Sequence, residues 1–101
     1  MDTSELRVDV DRLVGRLDAL GEIGAVLGPN GERGCARLAL TDADRDGRDL
    51  VVGWMRDLGL AITVDAVGNV VGVRAGTDPT LAPVMMGSHI DTVRTGGRFD
   101  G

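Results

Sequence analysis

The stretch LVVGWMRDLGLAITVDAVGNVVGV, residues 50–73, changes its hydrophobic period half-way along, and that change decides how the chain folds. Up to Leu58 the apolar residues Leu50, Val51, Trp54, Met55 and Leu58 recur at the spacing of one helix face. Upstream of them, Thr41 or Asp42 can cap a helix whose first turn is crowded with acids, so the pattern predicts a helix from about Ala43 to Leu58 with Trp54 substantially buried. Gly59 stands just past its end, where a left-handed residue commonly stops a helix. Beyond Gly59 the period shortens. Runs rich in β-branched residues flank Val67-Gly68-Asn69, with Ile62 and Val64 on one face and Val71 and Val73 alternating after the turn, which reads as a β-hairpin.

Working outward, Leu6, Val10, Leu13, Leu17 and Leu20 recur every three or four residues and predict an amphipathic helix from Leu6 to Ile23. Thr3 or Ser4 can supply its N-cap, and Gly21 and Gly24 lie where it should end. The following GPNGERGCARLAL (residues 28–40) has the composition of an irregular connector whose later part can be a short extended segment. On the other side, AGTDPTLAP (residues 75–83) is a loop, and Val84 to Gly87 is an apolar run suited to a central strand buried on both faces. The expected architecture is α/β: two helices, then a β-hairpin and a central strand.

A chain of 101 residues has the length of one domain, with no internal repeat or linker to divide it. With one Trp, one Phe and no Tyr, aliphatic residues must do the packing. A net charge of −5, with arginines scattered among aspartates, argues against a nucleic-acid surface. The single Cys35 excludes an internal disulfide framework, the acidic N-terminus has no signal-peptide pattern, and no apolar run reaches membrane-spanning length; a cytoplasmic setting is expected.

Several short motifs invite chemical readings that their spacing does not support. Asp42, Asp44, Asp46 and Gly47 match the first half of a helix-loop-helix calcium loop, but the twelfth position is Gly53, where a bidentate Glu is needed. Cys35 has no partner in sequence and reads as a small packed residue. The glycines of TGGRFDG (residues 95–101) lack the Lys-Ser/Thr pair of a phosphate loop. Ser88, His89 and Asp91 are too close in sequence to converge as a hydrolase triad, because neighbours on an extended chain face opposite sides. His89 and Asp91, two apart, share a face, and an imidazole with a carboxylate beside it is a plausible metal ligand and its orienting acid.

The longer string GSHIDTVRTGGRFDG, residues 87–101, resembles the signature of the amidase branch of the M20 metallohydrolases, which contains N-carbamoyl-L-amino-acid hydrolases, allantoate amidohydrolases and β-ureidopropionases. Gly87, Ser88, His89, Asp91, Thr92, Val93, Gly96, Gly97, Asp100 and Gly101 stand where that pattern places them, and the resemblance extends back to about Arg37. M20 aminoacylases and dipeptidases, an alternative, share the His-x-Asp but do not place an aspartate so soon after it in a Gly-Gly-x-x-Asp-Gly string.

The resemblance implies that residues 1–101 are the N-terminal part of a zinc-peptidase-like catalytic domain, and that the complete enzyme hydrolyses a ureido or carbamoyl C–N bond in a small acid. It implies that His89 ligates one metal ion, that Asp91 orients its imidazole, and that Asp100 bridges two ions. Zinc is the expected metal, with Mn2+, Co2+ or Ni2+ also compatible with such ligands. The family supplies a Glu-Glu pair and two further histidines later in its sequence; this chain has one histidine, so by itself it is expected to be inactive. A homodimeric full-length form is a further implication. A reading from another class, a noncatalytic binding module built on the same half-domain, is separated from this one by whether the reading frame continues past Gly101.

Overall fold

The computed structural model describes residues 2–101. Its elements are α1 (Val10–Glu22), β1 (Ala25–Leu27), β2 (Arg33–Cys35), α2 (Asp42–Asp57), β3 (Ala61–Val64), β4 (Val70–Val73) and β5 (Gly96–Gly97). The change of period at Gly59 is a change of element. Gly59 adopts φ 75° and donates to the Arg56 carbonyl at 2.9 Å, while Leu60 N–H reaches the Met55 carbonyl at 3.1 Å. These two bonds form a Schellman end, which satisfies carbonyls of the last turn and sends the chain into β3. At the other end Thr41 caps α2 by accepting the Asp44 N–H at 3.3 Å.

β3 and β4 form the expected antiparallel hairpin, with Ala61 opposite Val73 and Val64 opposite Val70. Its turn is organised by Asp65, whose carboxylate accepts the N–H groups of Val67 at 3.0 Å and Asn69 at 2.9 Å and the Asn69 side-chain amide at 2.8 Å. The hairpin lies against α2 at Gly72, where a Cβ would stand 2.9 Å from Leu60 and 3.1 Å from the Met55 sulfur. A side chain at that position would push the two elements apart.

A second, three-stranded sheet has the order β1-β2-β5, antiparallel throughout. Its first hairpin occupies part of the region expected to be an irregular connector. Three-residue strands are too short to show a period, so β1 was not legible. β5 pairs Gly96 with Cys35 and Gly97 with Gly34. Gly34 allows this close pairing, since a Cβ there would lie 2.9 Å from the Gly96 oxygen.

Two sequence expectations are corrected. α1 starts at Val10, with Asp9 accepting the Arg12 N–H at 3.0 Å as its cap. Ser4 lies in a separate turn, where its N–H and hydroxyl donate to the Asp2 carboxylate, and Leu6 and Val8 stay exposed. Trp54 is largely covered, as its place on the helix stripe predicts, with Arg16 of α1 stacked 5.7 Å from its ring centroid. Val84 to Gly87 is not a strand: no described segment pairs with it, and Val84 and Met86 are 95% and 92% exposed. A strand exists only as one side of a ladder, so an apolar run alone does not make one.

Among the described residues the buried set consists of Cys35, Arg37 and Thr92 together with the helical glycines Gly21 and Gly47. Arg37 is the hub. Its Nη1 donates to the carbonyls of Leu20 at 2.9 Å and Ile23 at 2.6 Å, and its Nε to that of Ile90 at 2.8 Å. The backbone of Arg37 bridges to Thr92 in both directions: its N–H meets Thr92 Oγ1 at 2.7 Å, and its carbonyl accepts the Thr92 N–H at 2.7 Å. Replacing Thr92 with Val keeps the volume but leaves the buried Arg37 N–H without its acceptor. The variant should lose about 1–3 kcal/mol in urea unfolding, and an unchanged midpoint would show that the 37–92 bridge carries no stability.

Candidate metal-ligand site

His89 and Asp91 are in contact, and Asp100, distant in sequence, is near enough for its charge to act on the imidazole. The path from Arg37 explains the first pair. Ile90 and Thr92, on either side of Asp91, are both held by Arg37, so the chain presents His89 and Asp91 on the same side. His89 Nδ1 stands 2.8 Å from the Asp91 carbonyl and 3.2 Å from its carboxylate Oδ1. With Nδ1–H donating to these oxygens, Nε2 is the nitrogen left with a free lone pair.

Asp100 arrives through two turns, in which Gly96 N–H bonds Val93 O and Asp100 N–H bonds Gly97 O, each at 3.3 Å. Its Oδ2 accepts the Val93 N–H at 3.1 Å. A carboxylate has about four lone-pair positions, so this bond leaves acceptor capacity on Asp100. The chain then closes on the histidine: Ser88 Oγ donates to the Gly101 carbonyl at 2.8 Å, and a Cβ on Gly101 would sit 2.5 Å from the His89 carbonyl oxygen. Gly101, at φ 92°, is thus glycine for two reasons, backbone sign and space.

Arg98 fastens this returning loop to α1. Its Nη1 lies 3.4 Å from Asp18, its Nη2 lies 2.9 Å from Glu22, and the guanidinium stacks 5.4 Å from the Phe99 ring centroid. Glu22 also pairs with Arg33 of β2. Sequence reasoning singled out these three groups but not Arg37 and Arg98, whose carbonyl and carboxylate partners are 14 to 80 positions away and leave no local signal.

The donor chemistry fits a divalent cation in part. An imidazole with Nδ1 anchored and a carboxylate with spare lone pairs are ligand types that zinc accepts. Among the described residues, however, no three His, Cys, Asp or Glu side chains gather into a metal-holding group. No helix among them is long and apolar enough to cross a membrane.

No family model matches the chain. It is 46% identical over 93% of its length to an N-carbamoyl-L-amino-acid amidohydrolase of Pseudomonas sp. (strain NS671), and 36% identical over 97% of its length to a ureidoglycolate hydrolase of Arabidopsis thaliana. A crystal structure of a hydantoinase/carbamoylase family amidase from Burkholderia ambifaria superimposes with a TM-score of 0.85 at 52% identity over 95% of the chain. The chain is similar in sequence and fold to part of the hydantoinase/carbamoylase amidases. It spans 22% of the length of the Pseudomonas and Burkholderia proteins and 20% of the Arabidopsis one. The α/β arrangement of two helices and small antiparallel sheets is therefore that of a portion of an amidase domain.

His89 is held above the ordinary imidazole pKa of 6.5, chiefly by the Asp91 carbonyl; desolvation opposes the shift, and the charge and hydrogen bond of the Asp91 carboxylate and the charge of Asp100 add to it. A raised folded-state pKa stabilises the fold at pH below the unfolded value, and this contribution disappears as pH rises through the folded value. NMR titration of the metal-free chain should place His89 above 6.5. In Asp91→Asn the value should fall part of the way back, because the carbonyl contact survives while the charge does not. An unchanged titration in that variant would mean that the carboxylate does not act on the ring.

Proposed function

We propose that the chain contributes the His89, Asp91 and Asp100 part of the active site of a metal-dependent amidohydrolase that cleaves the C–N bond of a carbamoyl or ureido group in a small acid. The observation that carries the reading is the anchored imidazole: Asp91 occupies Nδ1, Nε2 is left for a cation, and Asp100 is folded back beside it. The named activities of the two sequence relatives support the substrate class, since N-carbamoyl-amino acids and ureidoglycolate both present a terminal urea-type carbonyl. The M20 resemblance supports zinc as the metal and a homodimeric full-length form. The lone free Cys35, buried and unpaired with another cysteine, accords with a cytoplasmic setting.

In this reading His89 binds through Nε2, and Asp91 fixes the tautomer and raises the basicity of the ring. Asp100 would offer its carboxylate as a further oxygen ligand, and its bond from Val93 N–H fixes the direction of that carboxylate. When bound, the metal supplies Lewis-acid polarisation of the substrate carbonyl. None of the three groups is a free general base: the imidazole is committed to the metal, and Asp91 to the imidazole.

Two donors are fewer than the four that a closed zinc site uses. Calorimetry on the chain should therefore show weak zinc binding that His89→Ala abolishes and Asp100→Ala reduces, with no hydrolysis of an N-carbamoyl-amino acid. Tight binding of two ions, or zinc binding indifferent to both substitutions, would contradict the assignment.

A further inference from the structure

Asp91 is the residue on which the imidazole depends, and its own orientation is set from elsewhere. The dihedral φ of a residue is fixed by the peptide plane before it and ψ by the plane after it. The plane before Asp91 carries the Ile90 carbonyl, which accepts from Arg37 Nε at 2.8 Å. The plane after it carries the Thr92 N–H, which donates to the Arg37 carbonyl at 2.7 Å. Both peptide planes flanking Asp91 are thus clamped by one residue, the first by its side chain and the second by its backbone. The second plane also carries the Asp91 carbonyl that meets His89 Nδ1.

The clamp is itself buried and anchored. Arg37 is 2% exposed, and its Nη1 is anchored to Leu20 and Ile23 at the end of α1 and touches the Cys35 sulfur at 3.0 Å. Gly24 and Gly47 leave room for it: a Cβ on Gly24 would lie 3.1 Å from Arg37 Cβ, and one on Gly47 would lie 2.8 Å from its Cδ. The guanidinium bonds three carbonyls and a thiol, with no carboxylate among its hydrogen-bond partners.

We infer that Arg37 is the positioning residue of the His89–Asp91 pair: it touches neither a cation nor a substrate, and it sets the backbone from which the metal-orienting acid projects. The inference rests on the metal-ligand reading above. Lysine at this position keeps the charge but has one nitrogen, so it cannot hold Ile90 and the α1 carbonyls together.

Arg37→Lys should keep the β3–β4 hairpin resonances of the wild type, lose the nuclear Overhauser contacts between the His89 ring and Gly101, and bind zinc about 10- to 100-fold more weakly. If it lowers only the unfolding midpoint, with the His89–Gly101 contacts and zinc affinity as in wild type, Arg37 is structural and the inference is overturned. Should the variant not fold, the wild-type chain decides: the Arg37 Nε–H should exchange slowly and show a cross-hydrogen-bond coupling to the Ile90 carbonyl carbon. Fast exchange without coupling overturns the inference. Wild-type chain that shows these contacts but no zinc effect on His89 removes the metal reading and with it a metal-positioning role. Retained zinc binding with an insensitive Arg37→Lys removes the positioning role alone.

Discussion

A buried guanidinium bonded to backbone carbonyls organises this molecule. Taking a charge out of water is costly unless hydrogen bonds compensate it. Arg37 is compensated by Leu20 and Ile23 at the C-terminal end of α1, where the helix dipole is negative, and by Ile90 across the chain. Three distant segments, the end of α1, the end of β2 and residues 90–92, meet on that one side chain. Removing it would leave several carbonyls without donors at the point where the chain has its few buried atoms. The polar clamp has the place that an aliphatic cluster has in most domains of this length.

The corollary is a large uncovered apolar surface. The chain exposes 8027 Å², against about 5,400 Å² from the scaling of folded monomers at this mass. Its radius of gyration is 16.1 Å, where about 13 Å is usual for 100 residues. The β3–β4 ribbon is apolar on both faces, and Val64 and Val73 stay about half exposed. Leu40 is fully exposed at φ 67°, a backbone region that a leucine seldom adopts. Relatives that share this arrangement are more than four times as long, and the exposed faces are the surfaces on which further structure can pack.

That same surface explains what could be read from the residues alone. α2, its Schellman end and the β3–β4 hairpin were legible because local signals decide them: Thr41 as cap, Gly59 as stop, Asp65 and Gly68 in the turn. The pairing of His89 with Asp91 was legible because two-residue spacing on extended chain brings side chains to one face. What failed was burial. Leu58, Val84 and Met86 have the composition of a core and are exposed here, because burial depends on what lies across from a residue. Arg37 went unread as a structural hub for the same reason, since its carbonyl partners carry no signature in sequence.

The site inherits its order from these contacts. Arg37 holds the backbone around Asp91, Asp91 holds the imidazole of His89, and Arg98 ties the loop bearing Asp100 to α1. The central claim is that this arrangement presents Nε2 of His89 and the carboxylate of Asp100 to one divalent ion. Zinc-edge X-ray absorption on the chain in excess over zinc tests it most directly. The account predicts a shell of nitrogen and oxygen with the outer scattering of a single imidazole, at a Zn–N distance of about 2.0–2.1 Å. A shell of oxygen alone, or one containing sulfur from Cys35, would contradict it.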